Sequence, residues 1–169
     1  MRPNHHGVMG KEYPHTDKIN VICAIIFLIV WIIDSFILNL STGLNVFIPL
    51  IARIIVFIIF LILAIIFGLS SHNALFSEKH ETATLLKTGV FAHVRHPLYL
   101  SILLAYLALF FLTFSLISFI IWIFIFILYN KMATYEENDL EKIFGEEYVR
   151  YRKNVPKWIP RIFAAKNEN

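Results

Sequence analysis

The apolar block LYLSILLAYLALFFLTFSLISFIIWIFIFILY, residues 98–129, decides the architecture of this chain. As one helix it would run about 48 Å at 1.5 Å per residue, against a hydrocarbon core of about 30 Å. Halved, it yields two segments that are short for spans, with Thr113, Phe114 and Ser115 as a weak break in the middle. Length leaves both readings open, and charge separates them. Lysine and arginine are biased toward the cytoplasmic flanks of membrane helices. Arg2, Lys11 and Lys18 precede the first apolar block, and Lys79, Lys87 and Arg95 lie in the central polar stretch. Lys131, Lys142, Arg150, Arg152, Lys153, Lys157, Arg161 and Lys166 follow the last block, while residues 41–52 carry no basic side chain. All three basic stretches share one side only if residues 98–129 cross twice. The sequence therefore predicts an all-α integral membrane protein: four transmembrane helices in two hairpins, both termini cytoplasmic, and a cytoplasmic amphipathic C-terminal helix.

Composition agrees with that reading. Of 169 residues, 58% are hydrophobic and 16% charged, and the mean hydropathy is +0.68. A soluble domain is roughly 45–50% apolar. The net charge of +3 suits a cytoplasmic membrane surface, and nothing in the pattern points to nucleic acid. The first apolar block begins near Ile19 without a small-residue cleavage site, so no removable signal peptide is expected. Cys23 is the single cysteine and has no internal disulfide partner.

The predicted order is a cytoplasmic arm (1–18), a first hairpin (19–69), a cytoplasmic loop (70–97), a second hairpin (98–132) and a cytoplasmic tail (133–169). In the arm, His5, His6, Glu12, His15 and Asp17 fit no usual ligand spacing, so no metal site is expected. The first hairpin places Asp34 near the end of one span and Arg53 near the start of the next. Charges in lipid are usually paired, which predicts a structural ion pair between them. In the tail, Leu140, Ile143 and Phe144 recur at helical spacing on a surface-lying helix. Gly145 interrupts that helix, and Pro156 and Pro160 end the segment beyond it.

The chemistry-bearing stretch is KTGVFAHVRHPLY, residues 87–99, beside the second hairpin. Proline disfavours the α conformation in the residue before it, so His96 should be extended. Pro97 suits the first position of a helix, where its missing N–H costs nothing. Such a helix start aims free N–H groups and a positive dipole end at whatever Arg95, His96 and Tyr99 surround. Glu136 and Glu137 follow the last block within two turns, on the same membrane side. Together these groups suit a molecule bearing both charges. Arg95 and the helix start would take a carboxylate, and Glu136 or Glu137 an ammonium. An apolar second reactant would arrive from the bilayer. No metal tetrad, Ser-His-Asp set or phosphate-binding glycine loop is visible, which disfavours hydrolases and nucleotide-driven transporters.

Leu86 through Tyr99, then Glu136-Glu137, Phe144-Gly145-Glu146-Glu147-Tyr148, Tyr151, Val155-Pro156 and Ile159-Pro160, resemble the isoprenylcysteine carboxyl methyltransferase family, which is related to membrane phospholipid methyltransferases. The resemblance covers residues 86–160. It implies S-adenosylmethionine as cofactor, bound on the cytoplasmic side and largely enclosed by the second half of the chain. By position it implies Arg95, His96, Pro97, Leu98 and Tyr99 as one wall of the pocket and Glu136 and Glu137 as the other. Arg95 and Glu137 then do the binding and orienting at the catalytic centre. Phe91 stands where the family often has tyrosine, and Met132 stands near an arginine of relatives, with Lys131 adjacent. A bidentate arginine grips a carboxylate better than lysine, so this departure bears on which acceptor is used more than on methyl transfer itself.

The implied reaction asks little of the protein, because a sulfonium methyl is already activated and the enzyme mainly aligns the acceptor and excludes water. A carboxylate acceptor needs no base; a thiol, phenol or amine would use His96 or a glutamate. The implied function is an integral membrane methyltransferase acting on a lipophilic acceptor: an isoprenylcysteine-type carboxylate, a phospholipid amine or a small thiol. Small size suggests a prokaryotic inner membrane. Two rival readings stand beside it. Membrane sterol reductases share a similar Arg-His-Pro-x-Tyr motif and imply NADPH, but are much longer. A non-enzymatic scaffold or transport subunit gives no reason for a costly polar cluster beside two span ends.

Overall fold

A computed structural model describes residues 13–76 and 85–161. His5, His6 and Glu12 of the arm lie outside the described residues, as do Lys79 and its neighbours Glu78, His80 and Glu81. Every regular element among the described residues is helical. These are α1 (Thr16–Ile32), continued by a π-helical stretch (Ile33–Leu38), α2 (Leu50–Phe76), α3 (Pro97–Thr113), α4 (Leu116–Phe144) and α5 (Glu146–Asn154). Two 3₁₀ turns, Gly43–Val46 and Gly89–Ala92, precede α2 and α3. Among the described residues, α1 with its π-helical extension, α2 and α4 are long and apolar enough to cross a bilayer; α3, with 17 residues, is apolar but shorter.

The 98–129 block is divided where the weak break was expected. Phe114 takes a left-handed conformation (φ 49°), which is costly for a bulky L-residue. Ser115 then caps α4: its hydroxyl accepts from the Ser118 N–H at 3.2 Å, satisfying one of the free donors of a helix start. Other boundaries differ from expectation. The α2 helix runs on to Phe76, so Ser71, His72 and Asn73 are helical rather than loop. The α4 helix runs unbroken to Phe144, so Leu140, Ile143 and Phe144 extend the last apolar helix instead of forming a separate one. Both cases share one cause: polarity alone does not end a helix, and neither proline nor glycine stands at 70–76 or at 131–144. Gly145 has φ 54°, a region open to glycine without a Cβ penalty, and it separates α4 from α5.

One compact unit contains residues 15–66 and 101–130. Within it, α3 is the central helix. The Phe27 ring of α1 stacks on Tyr106 with centroids 4.5 Å apart. The Trp31 indole N–H reaches the Leu109 carbonyl at 3.0 Å and the Thr113 hydroxyl at 2.9 Å. Phe60 of α2 meets Phe111 at 4.9 Å, and the Trp122 N–H of α4 donates to the Leu103 carbonyl at 3.0 Å. A helix that is apolar all round belongs in such a position. In lipid, where tails are as apolar as leucine, close packing and interhelical hydrogen bonds such as these carry the association. The α2 helix, by contrast, leaves Ile55, Ile59, Ile62 and Ile66 about half exposed, a continuous apolar face that marks an interaction surface and suits hydrocarbon.

The expected ion pair between Asp34 and Arg53 does not form, because each finds other partners. Asp34 is buried and accepts from the Ser41 N–H at 3.1 Å, from the Ser41 hydroxyl and from the Ser115 hydroxyl at 2.5 Å. Arg53 Nη1 donates to Asn45 Oδ1 at 2.7 Å and to the Leu112 carbonyl at 3.2 Å. Serine hydroxyls and helix-end carbonyls supply the polar contacts that a counter-ion was expected to supply.

The second unit contains the described parts of residues 1–14, 67–100 and 131–169. Its core is Tyr148, Tyr151 and Val155, against which Leu85, Leu140 and Phe144 pack. The Tyr151 hydroxyl donates to the Phe91 carbonyl at 2.8 Å, joining α5 to the 3₁₀ turn.

Candidate functional site

The second unit carries a dense cluster of charges. Pro97 is the first residue of α3, as the sequence predicted, and it is fully buried. It holds Arg95 and His96 just ahead of the helix and Tyr99 in its first turn. From α4 come Glu136 and Glu137, adjacent in sequence and about 100° apart around a helix of 3.6 residues per turn.

Glu137 is the centre of the cluster and is 6% exposed. One carboxylate oxygen lies 2.9 Å from His96 Nε2 and 3.4 Å from Arg95 Nη2; the other lies 3.7 Å from Lys157 Nζ. Glu136 is more open. Its Oε1 accepts from the Tyr99 hydroxyl at 2.6 Å, and its Oε2 lies 3.8 Å from His96 Nδ1. The imidazole thus stands between the two carboxylates, one at each ring nitrogen. Trp158 faces the same ring with centroids 6.0 Å apart.

Two further Arg95 nitrogens, Nε and Nη1, are buried without a hydrogen bond of good geometry, with the Tyr148 phenol close by. Burying charged donors in this way is expensive. Burial is also felt by the groups around the cluster. It pushes the Lys157 ammonium below its ordinary range, helped by the Arg95 charge and opposed by Glu137. It raises the Tyr148 and Tyr151 phenols, Tyr148 further through the Glu137 charge, so both stay neutral.

The structure therefore brings together Arg95, His96, Tyr99, Glu136 and Glu137. Pro97 supports them from behind, while Leu98 turns outward at 43% exposure. Met132 is fully buried and Lys131 exposed. Lys157, Thr134 and Trp158 join the cluster without having been singled out. Lys157 Nζ donates to Thr134 Oγ1 at 2.7 Å. The signal was present in the two flanking prolines, Pro156 and Pro160, which hold a segment in a fixed non-helical path.

A sequence family described as phospholipid methyltransferase matches residues 46–147, a span containing Arg95, His96, Tyr99 and both glutamates. The chain belongs to that family. Over 100 residues it is 32% identical to protein-S-isoprenylcysteine O-methyltransferase of Schizosaccharomyces pombe, a match covering 56% of this chain and 41% of that protein. Over 98 residues it is 38% identical to methanethiol S-methyltransferase of Crocosphaera subtropica, covering 57% of this chain and 38% of the relative. The protein-S-isoprenylcysteine O-methyltransferase of Mus musculus is 30% identical over 102 residues, covering 60% and 36%. The matched stretch is thus well under half the length of these curated relatives. No solved structure matches the chain significantly. With its three long apolar helices and its methyltransferase relatives, this member of the phospholipid methyltransferase family is an integral membrane protein.

Proposed function

We propose that this chain is an S-adenosylmethionine-dependent methyltransferase acting on a lipophilic acceptor that reaches it from the bilayer. The observation that carries the reading is the Arg95 guanidinium, beside the Glu137 carboxylate, with Nε and Nη1 buried and making no hydrogen bond. That arrangement is a receptor for an amino-acid group. Arg95 would take the carboxylate of the methionine moiety through a charge-assisted pair of hydrogen bonds. The ammonium would go to Glu136 rather than Glu137, because Glu137 already faces Arg95, His96 and Lys157 on its two oxygens. Tyr99 orients Glu136 through its 2.6 Å hydrogen bond. When bound, the cofactor supplies an activated sulfonium methyl group. The protein's remaining task is alignment of the acceptor and exclusion of water, which the apolar surroundings of the cluster favour.

The relatives' names span a prenylated cysteine and a methanethiol acceptor, and the family description adds phospholipids. A lipid-borne carboxylate, an amine or a small thiol each fits the reading. The same proposal includes four spans, with both termini and the cluster on the cytoplasmic face of a prokaryotic cell membrane. The 17 residues of α3 give about 26 Å at 1.5 Å per residue, a shortfall that local thinning of the bilayer accommodates. The basic side chains after residue 130 and their absence from 39–52 support that orientation.

The test is direct binding in lipid nanodiscs. Wild-type protein is expected to bind S-adenosylhomocysteine, and Arg95→Met to lose at least tenfold in affinity. Radiolabelled methyl transfer into extracted lipids and lipophilic thiols would identify the acceptor. Tight NADPH binding without S-adenosylhomocysteine binding would overturn the proposal in favour of a reductase.

A further inference from the structure

Beyond α5 the chain crosses the cluster as an arch. Its two feet are backbone hydrogen bonds to the segment ahead of α3: the Arg95 N–H donates to the Pro156 carbonyl at 3.0 Å, and the Arg161 N–H donates to the His93 carbonyl at 3.1 Å. Between the feet, two side chains turn inward and one outward. Lys157 reaches Thr134 Oγ1 at 2.7 Å and Glu137 Oε2 at 3.7 Å. Trp158 faces the His96 ring. Ile159 at the outer apex is 82% exposed. The arch therefore covers Glu137 and His96, two of the most deeply buried charged and polar groups of the cluster.

The fastening of this arch is reversible by its chemistry. Pro156 and Pro160 have no N–H to donate, so at those two positions the arch offers no backbone donor. The Thr134 hydroxyl sits on an exposed residue, where water competes for Lys157. The ion pair to Glu137 is longer than those of His96 and Arg95 to the same carboxylate. Burial works against the Lys157 charge while Glu137 supports it. Lys157 lies outside the core of Tyr148, Tyr151 and Val155, so its contacts to Thr134 and Glu137 can open while that core stays packed.

We propose that Lys157 is a positioning residue that latches the 156–161 arch onto Thr134 and Glu137, and that ligand exchange at the cluster requires the latch to open. The proposal builds on the ligand-binding reading of the same cluster. It assigns Lys157 to the rate of entry and exit rather than to contact with the ligand.

The experiment compares wild type, Lys157→Met and Lys157→Arg in nanodiscs by two readouts. Stopped-flow binding of S-adenosylhomocysteine measures association and dissociation separately. Hydrogen exchange measures opening at the Arg161 amide, which lies in one foot of the arch, against the Val155 amide, which bonds to the Tyr151 carbonyl at 2.9 Å. For Lys157→Met, association and dissociation should both quicken, dissociation by about tenfold for the loss of a charge-assisted contact, so that affinity changes less than either rate. The Arg161 amide should exchange faster while Val155 is unchanged, and Lys157→Arg should restore both. Faster dissociation with unchanged association would make Lys157 a direct ligand contact and overturn the proposal. Unchanged exchange at Arg161 would overturn it as well. If wild type fails to bind S-adenosylhomocysteine, the functional reading falls, and the exchange comparison alone still decides the latch.

Discussion

The sharpest expectation concerns the two neighbouring glutamates, which the geometry gives different work. Glu137→Gln keeps the size of the side chain and an oxygen for His96, but removes the charge that Arg95 and Lys157 share. Their side chains are 11% and 16% exposed, so water compensates each only in part. Removing one partner of a buried pair costs about 3–5 kcal/mol. The 2.9 Å contact to His96 survives as a neutral hydrogen bond, and Glu136 remains near the ring, which places the loss at the lower end, about 3 kcal/mol. At about 2–4 °C per kcal/mol for a chain of this size, the melting temperature should fall by about 6–12 °C. Glu136→Gln should behave differently. That side chain is 19% exposed and keeps a weaker Tyr99 contact, so stability should drop by about 1 kcal/mol. Its loss should appear in binding instead, where one hydrogen bond to a charged ligand group is worth about 1.5–3 kcal/mol, or roughly 10- to 150-fold in Kd. Thermal unfolding followed by tryptophan fluorescence, with calorimetric titration of S-adenosylhomocysteine, measures both. The reasoning is refuted if Glu137→Gln melts with wild type while Glu136→Gln unfolds early, or if Glu136→Gln binds the ligand undiminished.

Two further perturbations probe the frame. Ser115→Ala removes the cap of α4 and one of the donors to Asp34; with a cap worth about 0.5–2 kcal/mol and a buried carboxylate left short of a donor, it should destabilise by about 2–3 kcal/mol in the same thermal assay. Gly145→Ala meets open space but inherits φ 54° with ψ −129°, a sparsely populated combination, so backbone strain alone should cost about 1–3 kcal/mol, visible as a drop in melting temperature.

Much of the frame was legible because it obeys local rules. Pro97 announces a helix start, Gly145 a helix end, and the Thr113-Phe114-Ser115 step divides a block too long for one span. The differences share a direction. Polarity rises at Ser70 and again after Lys131, yet serine, asparagine and glutamate are all compatible with helix when no breaker intervenes, and both helices run on. Charges in lipid need compensation, which suggests a pair of Asp34 with Arg53, but hydroxyls and backbone groups provide it as well. Asp34 accepts from two serine hydroxyls and an N–H; Ser115 is distant in sequence, Ser41 is close, and neither carries a charge to draw attention. Lys157 is hard to single out for the opposite reason: one cation among many in a basic tail shows nothing of the fold that turns it inward.

The uninterrupted run of α4 through Lys131 to Phe144 is what makes the cluster possible. Had the helix ended at the last apolar residue, Glu136 and Glu137 would sit on a loop, with rotamers and backbone both free to wander. On a helix their directions are fixed, and the imidazole of His96, rigid and two-sided, meets one carboxylate at each nitrogen. The asymmetry between the carboxylates then arises from the groups that stand behind each. Glu137 faces Arg95 and Lys157 and is consumed in holding them. Glu136 faces the Tyr99 phenol and the other His96 nitrogen, and at 19% exposure it is the more open of the two. Two identical side chains one residue apart thus differ in burial and in partners. Exchanging the Tyr99 phenol for phenylalanine should therefore weaken S-adenosylhomocysteine binding by less than Glu136→Gln does, since the charge remains and only its orientation loosens. A Tyr99→Phe loss equal to or larger than that of Glu136→Gln would show that the phenol, not the carboxylate, meets the ligand.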